Sequence, residues 1–392
     1  MSAVLSGVRV LDAATVLAGP VSATMLGDFG AEVVKIEDPI GGDFTRVGGR
    51  SPSWLQEGRN KKSVTLNLRT GEGRDLFRRM VPKFDVVVIN FRPPTLRRYA
   101  MLPDDLVPLN PRAVLLYVTG YGLNGPYSDR GAFDRIASSY SGLTYATGEP
   151  DRPPVRSGYS VIDYMAAYQA AYAVMLALYH RDVRSGRGQV IDLALYEAGL
   201  RATEDSVTTF GLEGVIRERS GNKNPVIVPA SDFETSDERR VSIHAGTDSL
   251  FRRLSAVIGK PELASDPRYR DRVARVEHQD SLYPLIAAWV AEHSADDVVK
   301  IMSDVDIPAS PVMSVADLMQ DPHCHARGSI VVTPDDEYGE VPMVAPLPKL
   351  DATPGSVRWA GPPLGSHTDE VLDALLGLSV EEIQDLRDKG VV

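Results

Sequence analysis

The chain has 392 residues, 43% hydrophobic and 24% charged, the composition of a soluble globular protein with one large domain and room for a second. A net charge of −11 and a pI near 5.2 exclude the broad basic face of a general nucleic-acid binder, so an anionic ligand would need locally clustered Arg and Lys. The single cysteine, Cys324, excludes an intrachain disulfide and fits a reducing cytosol.

The opening "MSAVLSGVRVLDAATVLAGP" lacks a basic segment, and Arg9 and Asp12 interrupt its apolar run, so it does not read as a secretory signal. Short β-rich runs then alternate with helical patterns. "GVRVLDA" (7–13) reads as a strand, "PVSATMLGDFG" (20–30) as a helix, and "AEVVKIE" (31–37) and "SVTLNL" (63–68) as strands. A helix over 71–84 and strands "DVVVIN" (85–90) and "AVLLYVTG" (113–120) follow. Strands apolar on both faces predict an α/β fold, a mostly parallel sheet with helices on each side. Ligands of such sheets sit beyond the carboxyl ends of the strands, where loops 18–20, 37–43, 67–70 and 90–94 fall.

A long helix spans Ser160 to Arg181 and is the segment nearest to a membrane span, but its alanines and tyrosines suit a buried soluble helix better. A turn, a strand and another helix complete a large domain over residues 1–210. Residues 211–230 read as a linker and 231–331 as a smaller α+β domain, with "RRVSIHAG" as a strand and helices near 247–259, 280–292 and 295–304. The Pro-rich segment from 332 leads back to two closing helices, whose starts are marked by Ser366 with Glu370 and by Ser379 with Glu382. A soluble cytoplasmic protein without nucleic-acid or membrane partners is expected.

Two motifs are set aside and one cluster of cations stays open. "GYGLNG" (120–125) fits G-x-G-x-x-G, but Pro126 and polar residues follow where a dinucleotide site needs a helix. No phosphate-binding loop for ATP is present. "HCH" (323–325) lacks metal-ligand spacing, so no metal is expected. The cations of "RNKK" (59–62), with Arg69, Arg92, Arg97 and Arg98, concentrate near the loop face, which suits either solvated ion pairs or a phosphate-rich ligand.

Asp163 stands at the head of the long apolar helix. An acid there favours the helix dipole and can cap the first turn, which accounts for most such aspartates. A carboxylate delivered from the bend "PPVRSGYS" can also serve as a covalent nucleophile towards an activated acyl group.

Taken together, "AGPVSATMLGDFGAEVVKIEDPIGGD", "RNKKSVTLNL", "DVVVINFRP", "NPRAVLLYVTGYGLNGPY" and "SGRGQVIDLALYEA" resemble the family III CoA-transferases and their relatives, the α-methylacyl-CoA racemases. The resemblance implies an open Rossmann-like large domain, a smaller domain, and two identical chains threaded as interlocked rings. It implies no permanently bound cofactor, with coenzyme A arriving as the acyl-CoA substrate and carboxylic acids as the other partners. It places the catalytic aspartate on Asp163 and CoA contacts on Val16, Leu17, Ala18, Leu66, Asn67, Leu68, Arg69, Asn90, Phe91, Arg92 and Arg98. Two positions depart from the pattern: Asp38 and Gly131 stand where some relatives carry Arg and Lys, for which Lys61 or Lys62 would compensate.

Racemases of this kind carry a His beside an Asp, and the corresponding pair here is Phe133 and Asp134. Phenylalanine cannot move a proton, so CoA transfer is favoured over α-proton exchange, with Asp134 as the candidate second acid. A CoA-binding protein without turnover is the third reading; the retained Asp163 speaks against it. Tyr140, Tyr145, Tyr159 and Tyr164 are candidates for an acyl pocket or for core packing.

Overall fold

The computed structural model describes residues 3–392. The chain clusters into two compact units. The first comprises the chain up to Leu143, Ser157–Leu212 and His325–Val392; the second comprises Thr144–Arg156 and Glu213–Cys324. The sequence places 144–156 within the large domain, whereas the fold gives that stretch to the second unit.

The first unit starts with strand β1 (Arg9–Asp12), helix α1 (Ala18–Asp28) and strand β2 (Glu32–Glu37). Helix α2 (Pro52–Glu57), strand β3 (Lys61–Thr65), helix α3 (Gly71–Met80) and strand β4 (Val86–Ile89) come next. Then follow α4 (Pro93–Tyr99), α5 (Pro103–Leu106), β5 (Val114–Thr119), α6 (Asp134–Tyr140) and α7 (Val161–Tyr179). Strand β6 (Val190–Ala194) and helices α8 (Leu195–Arg201) and α9 (Ser206–Glu213) complete this stretch.

All six strands are parallel, in the order β3-β2-β1-β4-β5-β6. Alternate residues of each strand enter different cores. Val86, Val88, Val114 and Leu116 pack with α1 and α7, whereas Val87, Ile89, Leu115 and Tyr117 pack under α3 and α4. This is why the strands read as unbroken apolar runs, and each fully buried Val or Leu contributes about 1.5–3 kcal/mol. The strand order reverses between β1 and β4, so the loops after those two strands part and leave a crevice.

The second unit holds strands β7 (Ala230–Glu234) and β8 (Arg240–His244), and helices α10 (Asp248–Val257), α11 (Arg272–Glu277), α12 (Gln279–Val290) and α13 (Ala295–Asp304). Strand β9 (Ala309–Pro311) closes an antiparallel sheet in the order β7-β8-β9, beside helix α14 (Val315–Gln320). Helix α15 (Pro322–Arg327) carries the "HCH" run, and no metal-binding cluster occurs among the described residues.

The returning chain forms a hairpin of β10 (Ile330–Asp335) and β11 (Gly339–Val344), then helices α16 (Thr368–Leu376) and α17 (Val380–Asp388). Ser379 and Glu382 form the expected capping box on α17. Ser366 does not cap α16. His367 precedes that helix, the Ser366 hydroxyl meets the His367 ring, and Glu370 pairs with Lys62.

Helix α7 and its π-helical extension to Ser185 are long and apolar enough to cross a membrane by length and composition. One side of α7 packs on α1 and β5, with Ala166, Ala170, Val174 and Ala177 buried there. Its other side exposes Tyr168, Tyr172, Leu176 and Tyr179 at helical spacing.

Candidate active site

The crevice is built by two loops that hold each other. Thr15, after β1, donates its N–H to Asn90 Oδ1 at 2.8 Å, and Asn90 Nδ2 donates back to Thr15 O at 2.6 Å. Val16 follows with φ of 70°, a left-handed conformation that costs a β-branched residue about 1–3 kcal/mol. Its N–H is aimed at the buried Asp43 carboxylate (3.3 Å), which fixes the turn. The chain then enters α1, whose first internal bond runs from Val21 N–H to Leu17 O. Among the described residues, the amides of Leu17 and Ala18 donate to no protein acceptor, leaving the positive end of α1 facing the crevice.

Two adjoining cavities occupy the crevice. One, of about 430 Å³, is lined by Thr15 to Ala18, Asn90 to Arg92, Gly131 to Phe133, and Asp163. The other, of about 610 Å³, is lined by Asp38, the Gly41–Phe44 loop, Leu66 to Arg69, Phe91 and Tyr99. Thr15, Phe44 and Phe91 line both, so the two form one groove. Arg98 lies outside the lining, with its guanidinium over the Tyr99 ring at 5.0 Å. Every residue for which a CoA contact was expected therefore lies in or beside this groove.

Asp163 does not cap its helix. Ser160 occupies the cap position of α7 without a side-chain bond, and Asp163 sits three residues inside. The cap comes from Asp134 at the start of α6, whose Oδ2 accepts the N–H of Ile162 at 2.8 Å and is 3.4 Å from Asp163 N. The Asp163 carboxylate is left 6% exposed in the cavity wall, with no hydrogen-bond donor among the described residues. Burial first, and the Asp134 charge second, push its pKa up from 3.8 to about 7. Phe133 is 68% exposed and lines the same cavity; no histidine does so among the described residues.

The expected cationic substitutes are engaged elsewhere. Lys61 is buried, donating to Asp12 (2.9 Å) and Pro20 O (2.7 Å), and Lys62 pairs with Glu32 and Glu370. Neither lines the groove, so neither stands in for the missing cations at Asp38 and Gly131. Asp38 itself pairs with Arg69, and Arg97 pairs with Asp129. The tyrosines are also occupied differently. Tyr164 donates to Glu57 (3.0 Å), Tyr145 donates to Glu218, and Tyr140 joins an edge-on cluster with Tyr121, Tyr127 and Tyr196. None of the four candidates, Tyr159 included, lines the 430 Å³ cavity.

Sequence reading missed the support beneath the groove. Lys35, in the middle of β2, pairs with Asp43 at 3.2 Å and lies 3.9 Å from Asp12, all three buried. Glu37 accepts from Arg46 Nε (2.7 Å), Ser63 Oγ (2.6 Å) and Asp43 N–H (3.0 Å), while Arg46 stacks on Trp54. A Lys and two acids within otherwise apolar strands were the available signal.

"GYGLNG" forms a turn rather than a dinucleotide fingerprint. A Cβ on Gly120 would lie 2.5 Å from Ala132 Cβ, so glycine there permits the close approach of the 131–133 segment that carries Phe133 to the groove.

Residues 5–368 match the family described as CoA-transferase family III. The chain belongs to that family. It is 42% identical, across 99% of its length and 98% of theirs, to the succinyl-CoA–L-malate CoA-transferase beta subunit and to the succinyl-CoA–D-citramalate CoA-transferase of Chloroflexus aurantiacus. It is 34% identical to the succinate–glutarate CoA-transferase of Agrobacterium fabrum, with 95% of each chain covered. Among solved structures, a CaiB/BaiF family protein from Brucella suis superposes with a TM-score of 0.84 at 31% identity, covering 96% of this chain and 100% of that one. This family III enzyme is therefore an acyl-CoA:carboxylate CoA-transferase, with CoA thioesters and carboxylic acids as its substrates.

Proposed function

We propose that Asp163 is the nucleophile of this transferase and carries the acyl group and then CoA in turn. The observation that carries the reading is a largely buried carboxylate that has no hydrogen-bond donor among the described residues, standing in the wall of a cavity lined also by Leu17 and Ala18 at the start of α1. A carboxylate stripped of most of its hydration attacks a thioester carbonyl more readily than a fully hydrated one. The carboxylate adds to the carbonyl, the C–S bond breaks, and CoA leaves as thiolate from a mixed aspartyl–acyl anhydride. The thiolate then attacks the Asp163 carbonyl, giving an aspartyl–CoA thioester and releasing the first acid. The acceptor acid reverses both steps and leaves as its own thioester. Each step exchanges one acyl bond for another, so no ATP is consumed. The amides of Leu17 and Ala18 are placed to stabilise the negative oxygen of each tetrahedral intermediate.

CoA lies along the groove, held at Leu66, Asn67, Leu68 and Arg69 and at Asn90, Phe91 and Arg98, with its thioester near Val16 to Ala18. Succinyl-CoA and small hydroxy- or dicarboxylic acids are the first substrates to assay, because the relatives' names pair these. The exposed stripe Tyr168, Tyr172, Leu176 and Tyr179 supports a second copy of the chain against α7, as an interlocked homodimer requires. Phe133 offers no imidazole for α-proton exchange, which speaks against a racemase.

The test is exchange of radiolabelled succinate into succinyl-CoA. Asp163→Ala should abolish it while the folded circular-dichroism spectrum persists, and hydroxylamine should trap the wild-type enzyme as an Asp163 hydroxamate. Substantial exchange by the alanine variant would refute the assignment.

A further inference from the structure

No hydrogen-bond donor holds the Asp163 carboxylate among the described residues, so its place in the cavity wall is set by the first turn of α7. Two side chains tie that turn down, one on each side of Asp163. Asp134 accepts the N–H of Ile162 at 2.8 Å, and Tyr164 donates its hydroxyl to Glu57 Oε1 at 3.0 Å. Glu57 ends α2 and is buried, and the same Oε1 accepts from Gln56 Nε2 at 2.7 Å. Its backbone carbonyl accepts the Thr24 hydroxyl at 2.6 Å. Glu57 thus grips α1 through its backbone and α7 through its side chain.

Ion pairing does not account for this acid. Arg59, whose charge reaches Glu57, is bound through Nε and Nη2 to Asp28 at 3.0 and 2.7 Å. A carboxylate buried among neutral donors costs more than an apolar side chain in the same place, so what it adds is direction. It fixes the Tyr164 hydroxyl. Burial, and then the Glu57 charge, push the pKa of that phenol up, so it stays a donor at the pH of any ordinary assay. The other end of α2 belongs to the groove. Ser51, its cap, meets Thr45 O with its hydroxyl and accepts the Trp54 N–H at 3.2 Å. Thr45 follows Phe44, which lines both cavities. One run of contacts therefore leads from the wall shared by the two cavities, through α2 and Glu57, to Tyr164 and the neighbouring Asp163.

We propose that Tyr164 is a positioning residue for CoA transfer, its hydroxyl held by Glu57 so that Asp163 keeps a fixed place relative to the wall at Phe44, where the thioester passes. The proposal rests on the reading of Asp163 as acyl acceptor. Its test is a double-mutant cycle on the full chain, with kcat and the KM for succinyl-CoA read from the succinate exchange assay. Tyr164→Phe removes one oxygen and keeps the ring, and circular dichroism checks that each variant is folded. Its kcat should fall about ten- to a hundredfold while KM changes by less than about threefold, the split expected when orientation rather than binding is lost. Glu57→Leu should cause the same loss, and the two changes together should cost no more than either alone, because both remove one bond. Glu57→Gln keeps an acceptor for the hydroxyl and should recover most of the rate. A Tyr164 that served only the fold would lower the denaturation midpoint on Tyr164→Phe and leave kcat unchanged, which would overturn the proposal. Losses that multiply in the double variant, or a raised KM with kcat intact, would overturn it as well. Failure of the Asp163 reading would appear instead as exchange surviving in the Asp163→Ala enzyme, whatever the cycle shows.

Discussion

Asp134 and Asp163 divide between them two tasks that a single acid at a helix start could have performed. Asp134 accepts the amide of Ile162 and so caps α7 from another helix, while Asp163, one residue further on, keeps its carboxylate unbonded in the cavity. The arrangement anchors the helix end without drawing the reactive group into the anchoring, and it places a like charge near enough to raise the Asp163 pKa.

The pH dependence of turnover follows from that pair. Asp163 attacks only when ionised, so kcat/KM should fall on the acid side with an apparent pKa of about 7. Asp134→Asn keeps a cap acceptor and removes the charge, so the acid limb should move to lower pH. A profile measured from pH 5 to 9 decides this; an unmoved limb would separate Asp134 from the titration of Asp163.

Stability should run opposite to activity. The folded pKa of Asp163 lies above the unfolded value of 3.8, so between those two values the folded state holds a proton that the unfolded state has lost. The carboxylate costs nothing below about pH 4. Above about pH 7 it destabilises the fold by about 4 kcal/mol, since each tenfold change in the acidity constant is worth about 1.4 kcal/mol. Asp163→Asn should therefore raise the denaturation midpoint at pH 8 and leave it almost unchanged at pH 4. Urea titrations at the two pH values measure the difference.

The buried ions beneath the groove predict a large loss. Lys35→Met would leave Asp12 and Asp43 with less compensation in a dry interior, a change that typically costs about 3–5 kcal/mol. The Val16 turn, which hangs from Asp43, should loosen with it. Equilibrium unfolding gives the stability change, and a rise in KM for acyl-CoA at temperatures where the variant is folded gives the effect on the turn.

At the mouth of the larger cavity, Asp38 holds Arg69. Asp38→Ala should release that cation to CoA and lower the KM for acyl-CoA, more at low ionic strength than at high, because an exposed charge is screened by salt. The same measurement on Lys62→Ala should show no change, since Lys62 is paired away from the groove.

How much of this was legible in the sequence depends on the range of the interaction. Parallel strands buried on both faces announce themselves locally, and β1, β2, β4 and β5 fall within a few residues of where the apolar runs put them. The Ser379–Glu382 capping box is local as well. The cap on α7 is not: it comes from 28 residues upstream of Ile162, and no spacing rule connects the two. Lys61 reads as a surface cation because lysine rarely tolerates burial, and only the fold brings Asp12 and Pro20 O to its ammonium. Arg69 and Asp38 similarly meet across two strand ends. Ser366 and Glu370 are four residues apart, one more than a capping box spans, and in the fold Lys62 takes Glu370 while the helix starts later.

The groove wall also has an order of assembly. Arg46 and Trp54, which brace the loop flanking the larger cavity, both donate to Pro362 O, and Trp359 donates to Lys61 O. Ser63 accepts from the amides of Gly365 and His367. A segment made early thus finds some of its fastenings in one made more than 290 residues later. During synthesis the strands of the sheet can form while the floor of the groove is still unlatched, so a nascent or C-terminally truncated chain would carry Asp163 and lack the finished groove beside it.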